Sequence, residues 1–205
     1  MLDFYYGKKN VLSVDKENGL ELRKLIHGDI ETIKKWLGER ELAYIAFGLV
    51  KDIPESDLRP FIDNYIKFMS NPFSPCFFVA VCDLDSHLIA LAKFDLRRVN
   101  GRLIALVGII IGEKQNRSRG IGTKALRQLY RLLFDSYKVD MIEIETAVYN
   151  LPAYRCFKRL GMKKCDKLMS LEGIDGYGKP GFDAPKINMY LTRDDYYKSL
   201  SANCG

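Results

Sequence analysis

Arg117 and Arg119, followed by Gly120 and Gly122, form an Arg-x-x-Gly-x-Gly spacing within the stretch Gly112 to Thr123. An unbroken apolar run, Leu103 to Ile111, precedes it, and a helical pattern from Ile121 to about Tyr137 follows. A buried strand, a basic glycine-containing loop and a helix in that order suit phosphate. The first N–H groups of a helix are unpaired, and the helix dipole places partial positive charge beside them. Gly120 and Gly122 remove the Cβ atoms that would hold a ligand off the backbone. Arg117 and Arg119 offer charge-assisted hydrogen bonds. No Gly-Lys-Ser/Thr follows, so this is not a Walker A loop, and the spacing is not the dinucleotide Gly-x-Gly-x-x-Gly. A second stretch, Asn150-x-x-Ala153-x-x-x-Phe157-x-x-x-Gly161-Met162, places an amide, a small residue and an aromatic along one short helix. The groups available for proton transfer are the strand carboxylates Glu143, Glu145 and Asp95 and the phenol of Tyr154, and the thiol of Cys156 lies on the same short helix.

Composition removes several other chemistries. Two histidines and five cysteines without a Cys-x-x-Cys pair give no zinc ligand set, so no metal is expected. The net charge is +6 and the pI about 9.0. Such an excess suits nucleic acid, anionic lipid, a phosphorylated ligand or merely a basic surface. Lys and Arg are spread along the chain with no basic block and no nucleic-acid motif, so no nucleic-acid partner is expected. The N-terminus lacks an apolar signal core, and no stretch approaches a membrane span. The expectation is a cytoplasmic protein, a monomer or homodimer, with no membrane partner. With 47% hydrophobic and 28% charged residues, the chain has enough apolar material for one well-buried core.

The elements that must position these residues follow from pattern. Val11 to Val14 and the Asn18-Gly19 turn read as a hairpin arm, and Leu20 to Ile26 alternates like a half-buried strand. Asp29 is the expected cap of a helix carrying Ile30, Ile33, Trp36 and Leu37. Leu42 to Val50 is ambiguous. A second helix, capped by Ser56 or Asp57, carries Phe61, Ile62, Tyr65, Ile66 and Met69 on one face. A meander follows: a strand Phe77 to Cys82, a turn Asp83 to His87, a strand Leu88 to about Val99, an Asn100-Gly101 hairpin turn, and a strand Arg102 to Ile111. That last strand is apolar on both faces and needs a layer on each side. Beyond the phosphate-type helix come a strand from Asp140 to Tyr149, a short helix from Asn150 to Leu160 ending at Gly161, a strand Lys164 to Glu172, a loop Gly173 to Pro185 and a last strand Lys186 to Thr192. The remainder is a tail with Tyr196 and Tyr197.

Together the two stretches resemble the GNAT superfamily of acetyl-CoA-dependent N-acetyltransferases. The likeness covers residues 20–192 in element order and is close over residues 105–163. The opening residues, from Leu20 to Ile26 with Asp29, Trp36 and Leu37, are most similar to the branch of ribosomal-protein α-amino, spermidine and some aminoglycoside 6′-acetyltransferases. The resemblance implies a single α/β (α+β) domain with a mixed, mostly antiparallel, twisted sheet. Helices would cover both faces, and a splay would separate two central strands. Residues 1–19 would be an extension or hairpin arm, residues 20–192 the acetyltransferase domain and residues 193–205 the tail. Acetyl-CoA is the implied co-substrate. Its pantetheine arm would pair with backbone at Ile109, Ile110 and Ile111, as an added strand does. Amides from Arg117 through Ser118, Arg119, Gly120 and Gly122 to Thr123 would hold the pyrophosphate. Asn150 would bond the arm, while Ala153 and Phe157 would pack beside it. Asn150 as a simple N-cap and Phe157 as plain helix packing account for the same residues.

The chemistry implied is direct attack of a primary amine on the thioester, with proximity supplying much of the rate. The amine acceptor would be a peptide or protein α-amine, a polyamine or an amino sugar. Many family members carry a tyrosine where Phe157 stands, to protonate the leaving thiolate, and phenylalanine cannot do so. Tyr154 or solvent is left for that task, and Glu145 is the leading candidate for the base. Three readings compete: a regulatory module that holds acyl-CoA without catalysis, a nucleic-acid-binding protein suggested only by the positive charge, and an enzyme for a longer acyl-CoA. The loop Gly173 to Pro185 is expected to border the acceptor pocket.

Overall fold

The computed structural model describes residues 10–47, 55–69, 71, 76–171 and 185–202. The chain opens on β1 (Val11–Asp15) and β2 (Leu20–Lys24), then α1 (Asp29–Leu37), α2 (Arg40–Phe47) and α3 (Glu55–Met69). The meander is β3 (Cys76–Cys82), β4 (Leu88–Val99) and β5 (Arg102–Ile111). Then come α4 (Ile121–Asp135), β6 (Met141–Ala147), α5 (Leu151–Arg159), β7 (Lys163–Cys165), β8 (Lys186–Thr192) and α6 (Arg193–Ala202). The strands form one open sheet in the order β1-β2-β3-β4-β5-β6-β8-β7. Every pair is antiparallel except β5 with β6.

Strand alternation divides the core between the two faces of the sheet. Phe77, Val79 and Val81 of β3 point to one face, with Ala125, Leu126, Leu129 and Leu133 of α4 and Phe157 of α5. Cys76 and Phe78 point to the other, with Ile33, Trp36 and Leu37 of α1 and Tyr65, Ile66 and Met69 of α3. Burying a side chain such as Leu126 or Phe94 contributes about 1.5–3 kcal/mol, so both layers hold the sheet firmly. The Asn100-Gly101 turn has φ of 48° and 79°, as a two-residue hairpin between twisted strands requires.

β5 and β6 part company. They pair only from Ile104 opposite Met141 to Leu106 opposite Glu143. β5 stays paired with β4 over its whole length, up to Ile111 opposite Ala90. β6 stays paired with β8 from Met141 to Ala147. Each strand follows its outer neighbour, and a wedge opens between them with its closed end at Leu106 and Glu143.

Several local expectations are corrected. Asp29 is the first residue of α1 and does not cap it; Gly28 holds that position without a side-chain bond. The Asp29 carboxylate instead accepts from Ile26 N and from Arg23 Nη1 and Nη2, so tertiary contact overrides the cap. Ser56 does not cap α3, which begins at Glu55. The ambiguous stretch from Leu42 is helical through Phe47, and residues 48–50 lie outside the described residues. The strand read over Lys164 to Glu172 is only Lys163–Cys165, followed by a 3-10 turn at Met169–Leu171. Glu143 shortens it by accepting from Met169 N, Ser170 N and Ser170 Oγ. The stretch read as a tail is a helix, anchored by buried Tyr196 stacked on Phe134. Nearly all of the Gly173 to Pro185 loop lies outside the described residues.

Candidate active site

The loop between β5 and α4 is built on a collision avoided. A Cβ on Gly112 would lie 2.0 Å from the Trp36 ring, so the chain passes directly over the indole of α1. Trp36 Nε1 donates to Glu113 Oε1 at 2.9 Å, which ties the loop to that helix. A 3-10 turn, Lys114–Asn116, follows, then Ser118 at φ 61° and Gly120 at φ 79°. These left-handed residues swing the chain into α4. Lys124 N is the donor to Gly120 O at 3.0 Å. The N–H groups of Ile121, Gly122 and Thr123 therefore have no acceptor within the helix.

Arg117 is placed differently from the expectation. Its Nε donates to Ile111 O at 3.1 Å, and its Nη2 to Gly112 O at 2.5 Å and to Glu39 at 3.2 Å. The guanidinium closes the end of β5 rather than pointing outward, and it occupies the Ile111 carbonyl. Arg119 is exposed beside the helix start.

Two adjoining hollows fill the wedge. The inner one is lined by residues 106–109 of β5 and 144–147 of β6, with Lys93 and Lys186. The outer one reaches Arg117, Ser118 and Gly122 along residues 109–111. Ile109, Asn150, Ala153 and Phe157 line both, so the hollows form one groove running from the helix start to the closed end. Asn150 is the N-cap of α5, its Oδ1 accepting from Ala153 N at 3.3 Å. Phe157 is 3% exposed and packs in the core, and it also lines both hollows. Ile109 and Ile111 pack toward α4 and Ile110 toward α1, as alternation along a strand demands.

Glu145 stands at the closed end. Its Oε1 accepts from Lys186 Nζ at 3.1 Å, while Oε2 is buried without a hydrogen-bond partner among the described residues. Tyr154 is not brought into the groove. It lines neither hollow, and its ring lies under Lys164 Nζ at 5.0 Å. One helical turn separates it from Phe157 along α5, but only Phe157 is aimed at the wedge. Cys156 borders the outer hollow and contacts Thr123 Oγ1 at 3.2 Å; burial pushes its thiol up, away from the thiolate form that reactivity needs. Asp95 lies on β4 opposite Leu106, and burial raises its carboxyl above the usual range.

Sequence reasoning missed Trp36 as a site element, Lys93 and Lys186 as groove residues, and Glu39 as the partner of Arg117. None of these lies near the motifs in sequence, and only the sheet brings them there. Among the described residues, one cluster has metal-type ligands: Asp83, Asp85 and His87. It is a turn in which Asp83 Oδ1 accepts from Asp85 N and His87 N and Oδ2 meets His87 Nδ1. Among the described residues no helix is long and apolar enough to cross a membrane.

An open mixed sheet, split beside a helix start, is an acyltransferase architecture of the α/β type. Residues 19–163 match the family described as acetyltransferase (GNAT) domain, and the chain belongs to that family. It is an acyl-CoA-dependent acetyltransferase. Spermidine N-acetyltransferase from Vibrio cholerae, solved with CoA and spermine, superposes with a TM-score of 0.62 at 19% identity, over 88% of this chain and 99% of that one. Aminoglycoside acetyltransferase AAC(6')-Ib, solved with ribostamycin and coenzyme A, gives 0.65 at 18% identity, over 88% and 97%. At such identities the likeness is one of fold. A kanamycin resistance protein of Rhizobium radiobacter is 28% identical over 83 residues, 40% of this chain and 67% of that protein.

Proposed function

We propose that this enzyme moves the acetyl group of acetyl-CoA to a primary amine by direct attack, with no covalent acyl-enzyme. The observation that carries the reading is the wedge between β5 and β6, unpaired beyond Leu106 and Glu143 and ending at the open N–H groups of α4. The pyrophosphate sits at the N–H groups between Ser118 and Thr123, where the helix dipole favours an anion. The pantetheine amides pair with the free inner edges at Ile109, Ile110 and Asn150, which places the thioester at the closed end. The amine enters from the face that carries Glu145. Its buried Oε2, without a hydrogen-bond partner among the described residues, takes the proton that the attacking nitrogen must lose. Tyr154 has no part in this scheme. The acceptor class is a polyamine or amino sugar, supported by the acceptors of the structural neighbours.

Mixing the protein with acetyl-CoA and a panel of spermidine, an aminoglycoside and a peptide α-amine, while following free thiol, tests the reading. Thiol release that depends on an added amine is the expected result. Coenzyme A binding with no turnover on any amine would instead mark a holding module without catalysis. Within the positive outcome, release with the peptide alone would replace the polyamine or amino-sugar assignment.

A further inference from the structure

Transfer of acetyl from a thioester to an amine forms a C–N bond, breaks a C–S bond and leaves a thiolate that needs a proton. Phe157, facing the inner hollow from the α5 side, has none to give. The polar side chains that line that hollow are those of Lys93, Glu145, Thr146, Asn150 and Lys186. Lys186 is bound to Glu145 at 3.1 Å. Asn150 is an amide and Thr146 an alcohol, both far too weakly acidic for the task. Lys93 remains, and among the described residues it has no ion-pair or hydrogen-bond partner.

Its route into the hollow is built into the sheet. Lys93 on β4 lies directly opposite Gly108 on β5. A Cβ at Gly108 would sit 3.1 Å from Lys93 Cε and 3.3 Å from Cγ. The lysine stem therefore lies across the bare glycine backbone toward the gap, and a side chain at 108 would crowd that path. Gly108 is two residues past Leu106, where β5 and β6 cease to pair, and so lies level with Glu145.

We propose that Lys93 is the side chain that protonates the departing thiolate of coenzyme A. The inference rests on the acetyltransferase reading above. As the C–S bond breaks, the sulfur takes a proton from the Lys93 ammonium, and the neutral lysine regains one from solvent. The proton leaving the amine nitrogen goes to Glu145 and then to solvent, so the products are the amide and the free thiol. An ordinary lysine, at about 10.4, is nearly as acidic as a tyrosine phenol at about 10. The groups that face Lys93 are Asp95 two residues along β4, Cys76 on β3 opposite Asp95, Tyr65 of α3 over Phe78, Glu145 on β6 and Lys186 on β8.

Lys93→Met keeps the stem and removes the proton. Its kcat should fall at least tenfold, toward the roughly 10²–10⁴-fold typical of a lost general acid, while calorimetric affinity for coenzyme A stays within about twofold of wild type. The alkaline limb of the wild-type kcat profile should vanish with it. Lys93→Arg keeps the charge but cannot release a proton near neutral pH, so it should not restore the rate. A Lys93→Met loss under tenfold, or full recovery in Lys93→Arg, overturns the assignment to Lys93 alone. A wild-type protein that releases no thiol with any amine overturns the acetyltransferase reading and Lys93 with it.

Discussion

Gly112 has no side chain because the indole of Trp36 occupies the space where one would be. Trp36 is 1% exposed and held by Glu113, so it cannot swing away. Overpacking of this kind typically destabilises by about 1–3 kcal/mol, and a 2.0 Å approach to a fixed ring belongs at or beyond the top of that range. Gly112→Ala should therefore lower the urea midpoint by about 3 kcal/mol's worth at an unchanged slope. Asp95 gives a pH signature. Burial holds its carboxyl up, with Lys93 and the Cys76 thiol only partly offsetting this. The folded protein thus keeps a proton that the unfolded chain, near about 3.9, has already lost. In the window above that value the folded state binds more protons, so stability falls as pH rises through the folded pKa. Asp95→Asn keeps an acceptor for Cys76 and removes that slope. Unfolding curves followed upward from about pH 4 should show the wild type losing stability relative to the variant as pH rises.

At the scale of elements, the start of α4 is a site because the helix cannot satisfy its own first N–H groups. A Cβ at Gly122 would meet Ile111 Cδ1 at 3.8 Å and Cys156 Sγ at 3.9 Å, which is ordinary contact. A carboxylate there also suits the helix dipole, by about 0.3–1 kcal/mol. Gly122→Asp should consequently fold with a wild-type melting temperature and fail to bind coenzyme A in calorimetry. Wild-type affinity in that variant would move the phosphate site away from residues 117–123. The strand–loop–helix and Asn150–Gly161 stretches were both legible in sequence, because backbone patterns spaced along one segment are local. The use of the Arg117 side chain was not, because its acceptors are the carbonyls of a strand end and Glu39 from a distant helix. Tyr154 and Phe157 were also inseparable by spacing alone. A helix of nine residues presents both near one face, and only the packing of α5 on the sheet chose Phe157.

At the scale of the molecule, the wedge is held open by two layers of core and by full pairing of β5 with β4 and of β6 with β8. A ligand that binds only this folded arrangement must stabilise it by mass action. Coenzyme A at 100 times its dissociation constant should add about 2.7 kcal/mol to unfolding, read as a concentration-dependent rise in melting temperature. Gly122→Asp should show no such rise. A wild type whose melting point ignores coenzyme A would mean that the wedge is not the binding site.

Sequence by itself determined the meander, the Asn100-Gly101 turn, the glycine-bearing helix start and the Asn150 cap. Each depends on residues close together in the chain, where periodicity, turn chemistry and helix-end geometry act directly. Tertiary structure alone decided where β5 and β6 separate, which way Arg117 turns, and that Lys93, Glu145 and Phe157 converge on one hollow. Those outcomes depend on register between strands far apart in sequence, and a register is set by the packing of whole faces rather than by any single stretch.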